Sequence, residues 1–247
     1  MLNNKFSKLS VALILSGALS SSLFADTADG QTTLESFGFS ASANLTLASD
    51  YIWRGMSQTK DGAAVQGGID LGHESGLYIG TWASNVSERM YANANAEFDL
   101  YLGFARNVDA VTGLSYDVNY LRYFYVSNGS EKGVGDTSYD ELTLSLGYEV
   151  MEALSVGASY TYNTWLETGD DAGEMNYFKL SADYDAGVAG ISVSYGMYNT
   201  IGTDMGAFVS TDVDQFTLSA GVTVFSADDE SGLDDETHFV VSVGTGF

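Results

Sequence analysis

The sequence predicts an all-β fold: a transmembrane, antiparallel, up-and-down β-barrel of about 12 strands, with about 10 as the fallback, preceded by an N-terminal signal peptide. Three observations lead there. From Phe37 onward, apolar residues alternate with small or polar ones at period two, the repeat of a strand whose two faces meet different surroundings. The 247 residues include no Pro; proline cannot donate to a strand ladder, and a closed barrel has no edge strand to tolerate it. Tyr and Trp gather toward the strand ends, as at Tyr51, Trp53, Tyr123, Tyr125, Tyr160 and Tyr184, where membrane proteins place rings at the headgroup level.

The first residues read as a targeting segment. Lys5 and Lys8 form a basic region, Leu9 to Leu19 an apolar one, and Ser20, Ser21 and Ser22 lead to Ala25. Residues 1–25 are therefore expected to be a signal peptide, 26–36 a short periplasmic segment and 37–247 the barrel. A buried core helix is the rival reading of the apolar run. It fails because no second helical pattern exists for it to pack against.

The strands follow in order. In the first, Phe37, Phe39, Ala41, Ala43, Leu45 and Leu47 fall on one face and Gly38, Ser40, Ser42, Asn44 and Thr46 on the other. The pattern returns at Val65–Leu71, Ala96–Phe104, Leu114–Tyr120, Leu142–Tyr148, Leu154–Tyr162, Phe178–Tyr184, Ile191–Met197, Phe216–Val224 and Phe239–Val243. Leu77–Ala83 is a further strand whose apolar face is blurred by Tyr78 and Trp82. The second face is more often small and uncharged than charged, which favours a membrane barrel over a soluble sandwich. An even strand number, with both chain ends on one side, requires a weak additional strand near Met205–Val213.

Connections alternate in length. Gly72–Gly76, Val150–Ala153 and Asp185–Gly190 read as short periplasmic turns, with the intermediate Arg106–Thr112 on the same side by position. Arg54–Gly62, Ser84–Ala94, Val126–Ser138, Leu166–Met175 and Ser226–Thr237 read as extracellular loops. The last strand places Phe239, Val241 and Val243 ahead of the terminal Phe247, a pattern resembling the signal read by the β-barrel assembly machinery.

Lys5 and Lys8 are the only basic residues before residue 26, so the remainder carries seven basic against 33 acidic residues, a formal charge of −26. Nucleic acid, which needs a basic surface, is excluded as a partner. The charge suits a surface that gathers cations or faces outer-membrane lipid and lipopolysaccharide; solubility in a salty habitat is the plainer explanation. With the small-residue face taken as the lumen, the pore-lining candidates are Asp50, Arg54, Gln66, Asp70, Glu97, Asp99, Asp117, Glu141, Lys179 and Asp183. Asp50 and Arg54 lie too far apart along a strand to pair directly, so each is expected to find a partner elsewhere. The set reads either as a ring favouring cations or as salt bridges that fill the barrel. Trp165, Tyr101 and Tyr177 point inward on the same register and would narrow the bore.

No catalytic residue, metal site or cofactor is expected. His73 and His238, the two imidazoles, fall on opposite sides of the membrane. The run Tyr125-Val126-Ser127-Asn128-Gly129 is similar to the His-x-Ser-Asn-Gly motif of outer-membrane phospholipases, but Tyr125 stands where the base should be, and a tyrosine does not serve as that base near neutral pH. The acidic run from Asp228 to Glu236 lacks the spacing of a calcium-binding loop; it and the group Glu167, Asp170, Asp171 and Glu174 read as solvated loops.

The segments LASDYIWRGMSQT (47–59), AVQGGIDLGHESGLYIGTWASNV (64–86) and AEFDLYLGF (96–104) resemble the N-terminal half of the TorF-family porins, also known as the proteobacterial family Gcw_chp. Ala63 departs from the family where a proline is expected. The resemblance implies a barrel of the Gram-negative outer membrane and a pore; it brings no substrate and no catalytic residues. The expectation is a diffusion channel for small hydrophilic solutes that prefers cations. The alternative is a non-conducting structural or adhesive barrel acting through its acidic loops.

Overall fold

The computed structural model describes residues 34–87, 94–127, 138–163 and 175–247. The expected signal peptide lies outside them, as do Trp165, the acidic group at 167–174 and the Asn128-Gly129 pair.

A 3-10 turn, Glu35–Phe37, leads into β1 (Phe39–Ala48), so the strand starts two residues later than the alternation suggests. A small hairpin follows, β2 (Ile52–Trp53) and β3 (Met56–Ser57). The wall continues with β4 (Ala64–His73), β5 (Leu77–Asn85), β6 (Ala94–Asn107), β7 (Leu114–Ser127), β8 (Tyr139–Met151) and β9 (Leu154–Asn163). It is completed by β10 (Tyr177–Asp185), β11 (Gly190–Tyr198), β12 (Gly202–Val213), β13 (Phe216–Ala227) and β14 (Glu236–Gly246). β1 pairs with β4 on one side and β14 on the other, and every neighbouring pair in the wall is antiparallel, closing a barrel of 12 strands. β2 and β3 stand apart as their own two-stranded sheet.

The strand that the sequence marks only weakly is β12, and it is fully formed. It pairs with β13 from Gly202 to Val213. Its alternation is hidden because Phe208 faces the lumen, where the backbone of Gly221 leaves room for the ring. Elsewhere the pattern is clean. Along β6, Glu97, Asp99 and Tyr101 are buried inside, while Phe98, Leu100 and Leu102 are exposed outside.

The outer face is a belt of exposed apolar side chains, among them Leu100, Leu142, Leu144, Val193, Met205 and Val209. An apolar surface of this extent is stable against hydrocarbon and unstable against water. Leu144 sits midway along β8, opposite Val118 and Tyr160. Leu144→Arg is expected to lower the unfolding free energy in phosphocholine vesicles by about 2–4 kcal/mol, read from urea titration. No change would mean that this face does not lie in the bilayer core.

The connections sort by end. The turns after β4, β6, β8, β10 and β12 lie with the start of β1 and the end of β14. The segment 49–63, the connection 228–235 and the described parts of the other long loops lie at the opposite end. The 199–201 connection between β11 and β12 is the short exception at that end.

Candidate functional site

The segment expected to be the first extracellular loop turns back into the barrel instead. Its core is the β2–β3 hairpin, whose central residues Arg54 and Gly55 both have positive φ, 49° and 85°, the conformation whose twist suits a two-residue hairpin. Ends of the loop are clamped together. Asp50 accepts hydrogen bonds from the hydroxyls of Ser57 (2.8 Å) and Thr59 (2.6 Å), and the amide of Gln58 donates to the carbonyl of Tyr51 (2.7 Å). At the tip, a Cβ on Gly55 would lie 2.8 Å from Cβ of Asp204 and 3.0 Å from that of Phe225. The hairpin therefore touches the β12–β13 wall through bare backbone.

Tyr51 and Trp53 are consequently not headgroup anchors. They are 2% and 5% exposed, packed with Met56, Tyr177, Tyr198 and Phe225 inside the barrel. Tyr123 is likewise buried rather than placed at the interface. Carboxylates hold these rings inside: the Tyr51 hydroxyl donates to Glu97 (2.8 Å) and that of Tyr123 to Glu141 (3.0 Å). Tyr160 and Tyr184, by contrast, face outward.

Arg54 carries the charge of the hairpin. Its Nη2 donates to both oxygens of Glu141, at 2.9 and 2.8 Å, and the guanidinium lies over the rings of Trp53 and Tyr177, each 4.3 Å away. Both partners of the ion pair are buried. As expected, Arg54 does not pair with Asp50; Arg54 pairs with Glu141 through Nη2, and Asp50 accepts from Ser57 and Thr59 through Oδ1.

The lumen is divided lengthwise. Along β5 to β8 it is filled by Tyr78, Trp82, Tyr101, Tyr123 and Tyr139, with Tyr123 stacked on Tyr139 at 4.3 Å. Asp70 and Asp117 accept from the hydroxyls of Tyr101 and Tyr78. Asp99 is buried, and its Oδ1 has no hydrogen-bond partner among the described residues. Gly80 and Gly103 make this filling possible, since a Cβ at either would collide with Tyr101 or Tyr78. The small-residue face thus serves partly as space for rings.

Along the other walls the lumen is open. A cavity of about 440 Å³ is lined by hydroxyls, including Ser145, Ser159, Thr161, Ser181 and Ser194, and reaches up to Asp50, Arg54, Gln66 and Asp204. A second cavity, about 450 Å³, continues toward the short-turn end past Glu149 and Glu152. Asp117, Ser145, Ser159, Lys179, Ser181 and Asp183 border both, so the two cavities adjoin.

Of the sequence candidates, Asp50, Arg54, Gln66, Asp117, Glu141, Lys179 and Asp183 line this open half. Asp70 and Glu97 sit against the tyrosines instead. Asp204, which accepts from the Tyr177 hydroxyl at 2.7 Å, belongs with the lining residues and was not among those candidates, because it stands on the weakly patterned β12. The imidazoles stay apart: His73, bonded to Ser75, lies at the short-turn end and His238 at the other.

The family model Gcw_chp, described as a bacterial protein of unknown function, matches residues 32–234. The chain belongs to the Gcw_chp family. That description carries no porin label, so the TorF designation rests on the sequence resemblance alone. No curated protein matches this Gcw_chp member. Among solved structures it is similar to the KdgM porin, at 13% identity and a TM-score of 0.55, with 83% of this chain and 99% of that one covered. It is similar also to the NanC porin, at 12% identity and a TM-score of 0.51, covering 84% and 99%. The outer membrane phospholipase of Salmonella typhi, a dimer with bound calcium, matches at 15% identity and a TM-score of 0.50, covering 84% and 90%. At these identities the likeness shows a shared barrel fold.

Proposed function

We propose that this Gcw_chp protein is an outer-membrane, porin-like channel, of the kind the TorF name denotes, for passive diffusion of small hydrophilic solutes, preferring cations. One observation carries the reading: two adjoining cavities rich in hydroxyl groups lie inside a barrel whose outside is apolar. Ser and Thr walls exchange hydrogen bonds with water and polar solutes at little cost. With Arg54 and Glu141 neutralising each other, Asp50, Asp117, Asp183 and Asp204 remain along the cavities against Lys179. The net field therefore favours positive charge.

The decisive experiment is to refold the mature chain into a planar bilayer and record conductance and reversal potential in a salt gradient. Conduction with cation preference is expected. Asp117→Asn together with Asp183→Asn should shift the reversal potential toward zero selectivity without loss of conductance, since both residues border the open passage. A conducting channel whose selectivity ignores the pair would end the charge argument. The buried hairpin favours a second reading, a closed barrel that acts through its acidic outer loops. Stable silence in the bilayer would select it.

A further inference from the structure

At the long-loop end, residues from two distant stretches of sequence, 50–61 and 236–238, converge on one point. His238 of β14 is buried; its Nε2 lies 2.7 Å from Glu236 Oε2, and its Nδ1 lies 2.9 Å from Asp61 Oδ1 and 3.6 Å from Asp50 Oδ2. The nearest ligating atoms of Asp50, Asp61 and His238 all fall within 4.8 Å of one another. Asp50 is itself 95% buried (5% exposed), with Oδ1 taken up by Ser57 and Thr59, while Oδ2 makes no hydrogen bond among the described residues and is aimed at the imidazole.

A carboxylate only accepts, so the Glu236 contact places a proton on Nε2, and the Asp61 contact at Nδ1 is met either by a second ring proton or by a cation bound to the Nδ1 lone pair of a neutral ring. That lone pair and two carboxylate oxygens face a common centre. Three acceptors so placed repel one another unless a cation lies among them. A carboxylate behind the imidazole is also how ligating histidines are oriented and made more basic.

We propose that Asp50, Asp61 and His238 form a binding site for one zinc-like divalent cation, held by Nδ1 and one oxygen of each aspartate, with Glu236 as the positioning residue. One imidazole nitrogen and two carboxylate oxygens suit zinc and its transition-metal neighbours better than calcium or magnesium, which take all-oxygen shells of higher coordination. Ligands of a tetrahedral zinc stand about 3.3 Å apart; the two separations from Nδ1, 2.9 and 3.6 Å, bracket that value, and the third, between the aspartate oxygens, lies within 4.8 Å. Asp61, exposed at the rim, gives the ion an entry path and leaves water the fourth position. Because Asp50 and Asp61 flank the inward hairpin while His238 belongs to the wall, the bound ion staples hairpin to barrel.

The test is calorimetric titration of zinc chloride into the refolded, untagged barrel in zwitterionic detergent near neutral pH. One equivalent should bind, and calcium chloride should give no saturable heat. Asp61→Asn is the safe variant, because Asp61 has φ of 59°, a conformation asparagine adopts readily. It and His238→Ala should abolish the binding, and Glu236→Gln should weaken it by about tenfold or more. Heat-dependent gel mobility reports whether each variant is folded. Absence of saturable zinc binding to the wild type, as expected if a second proton on His238 fills the centre instead, would overturn the site. So would zinc binding that folded Asp61→Asn and His238→Ala both retain. Neither readout depends on whether the barrel conducts.

Discussion

Arg54→Ala is expected to destabilise the barrel by about 3–5 kcal/mol, because it leaves Glu141 charged and buried without its partner. The guanidinium also covers the faces of Trp53 and Tyr177, so its removal opens a gap where hairpin meets wall. Urea unfolding in detergent micelles should show a lower midpoint with an unchanged slope. In the bilayer the same variant should conduct more and prefer cations more strongly, since a positive charge leaves the lining of the cavity while Glu141 stays. Removing Glu141 at the same time should recover part of the lost stability, as a charge is no longer stranded. A single variant as stable as the wild type would mean that water reaches Glu141 freely and the pair is not sealed.

Replacing residues 51–58 by a short Gly-Ser linker should raise conductance several-fold, the largest functional effect expected of any change in this chain. The replaced segment contains Tyr51, Trp53, Met56 and Gln58, all buried inside the barrel, and its removal would expose the upper end of the hydroxyl-lined cavity. A gentler version is Gly55→Val. Its new side chain would press on Asp204 and Phe225 and adopt a φ of 85° that valine disfavours by about 1–2 kcal/mol. Intermittent openings in single-channel records should result. Traces indistinguishable from the wild type in both variants would show that the hairpin does not limit flow.

The wall of the barrel could be read from the sequence because each strand meets lipid on one side and lumen on the other, which writes period two into the residues. Even β12, with Phe208 on its inner face, was demanded by parity. The inward hairpin could not be read in the same way. Tyr51 and Trp53 follow a strand end, and an aromatic there looks the same whether it anchors in headgroups or folds inside. One local signal was present: Arg54-Gly55 between Ile52-Trp53 and Met56 is a two-residue turn suited to a hairpin. The partners of the hairpin were hidden, since Glu141 lies 87 residues from Arg54 and His238 lies 177 from Asp61. Alternation assigns a residue to a face and says nothing of which opposite strand its side chain will reach.

The join between β1 and β14 holds a different consequence. β1 pairs with β4 from Phe39 to Ala48, but with β14 only from Asn44 to Ala48, and Phe247 adds two backbone hydrogen bonds to Ala43. Every other contact in the wall links strands adjacent in sequence or nearly so, and such hairpins form with little loss of chain freedom. This one ties together the two most distant stretches of the hoop, so its entropic toll is greatest and its bonds fewest. The longest-range join of the cylinder is therefore also its thinnest seam, with Phe247 supplying two of its bonds.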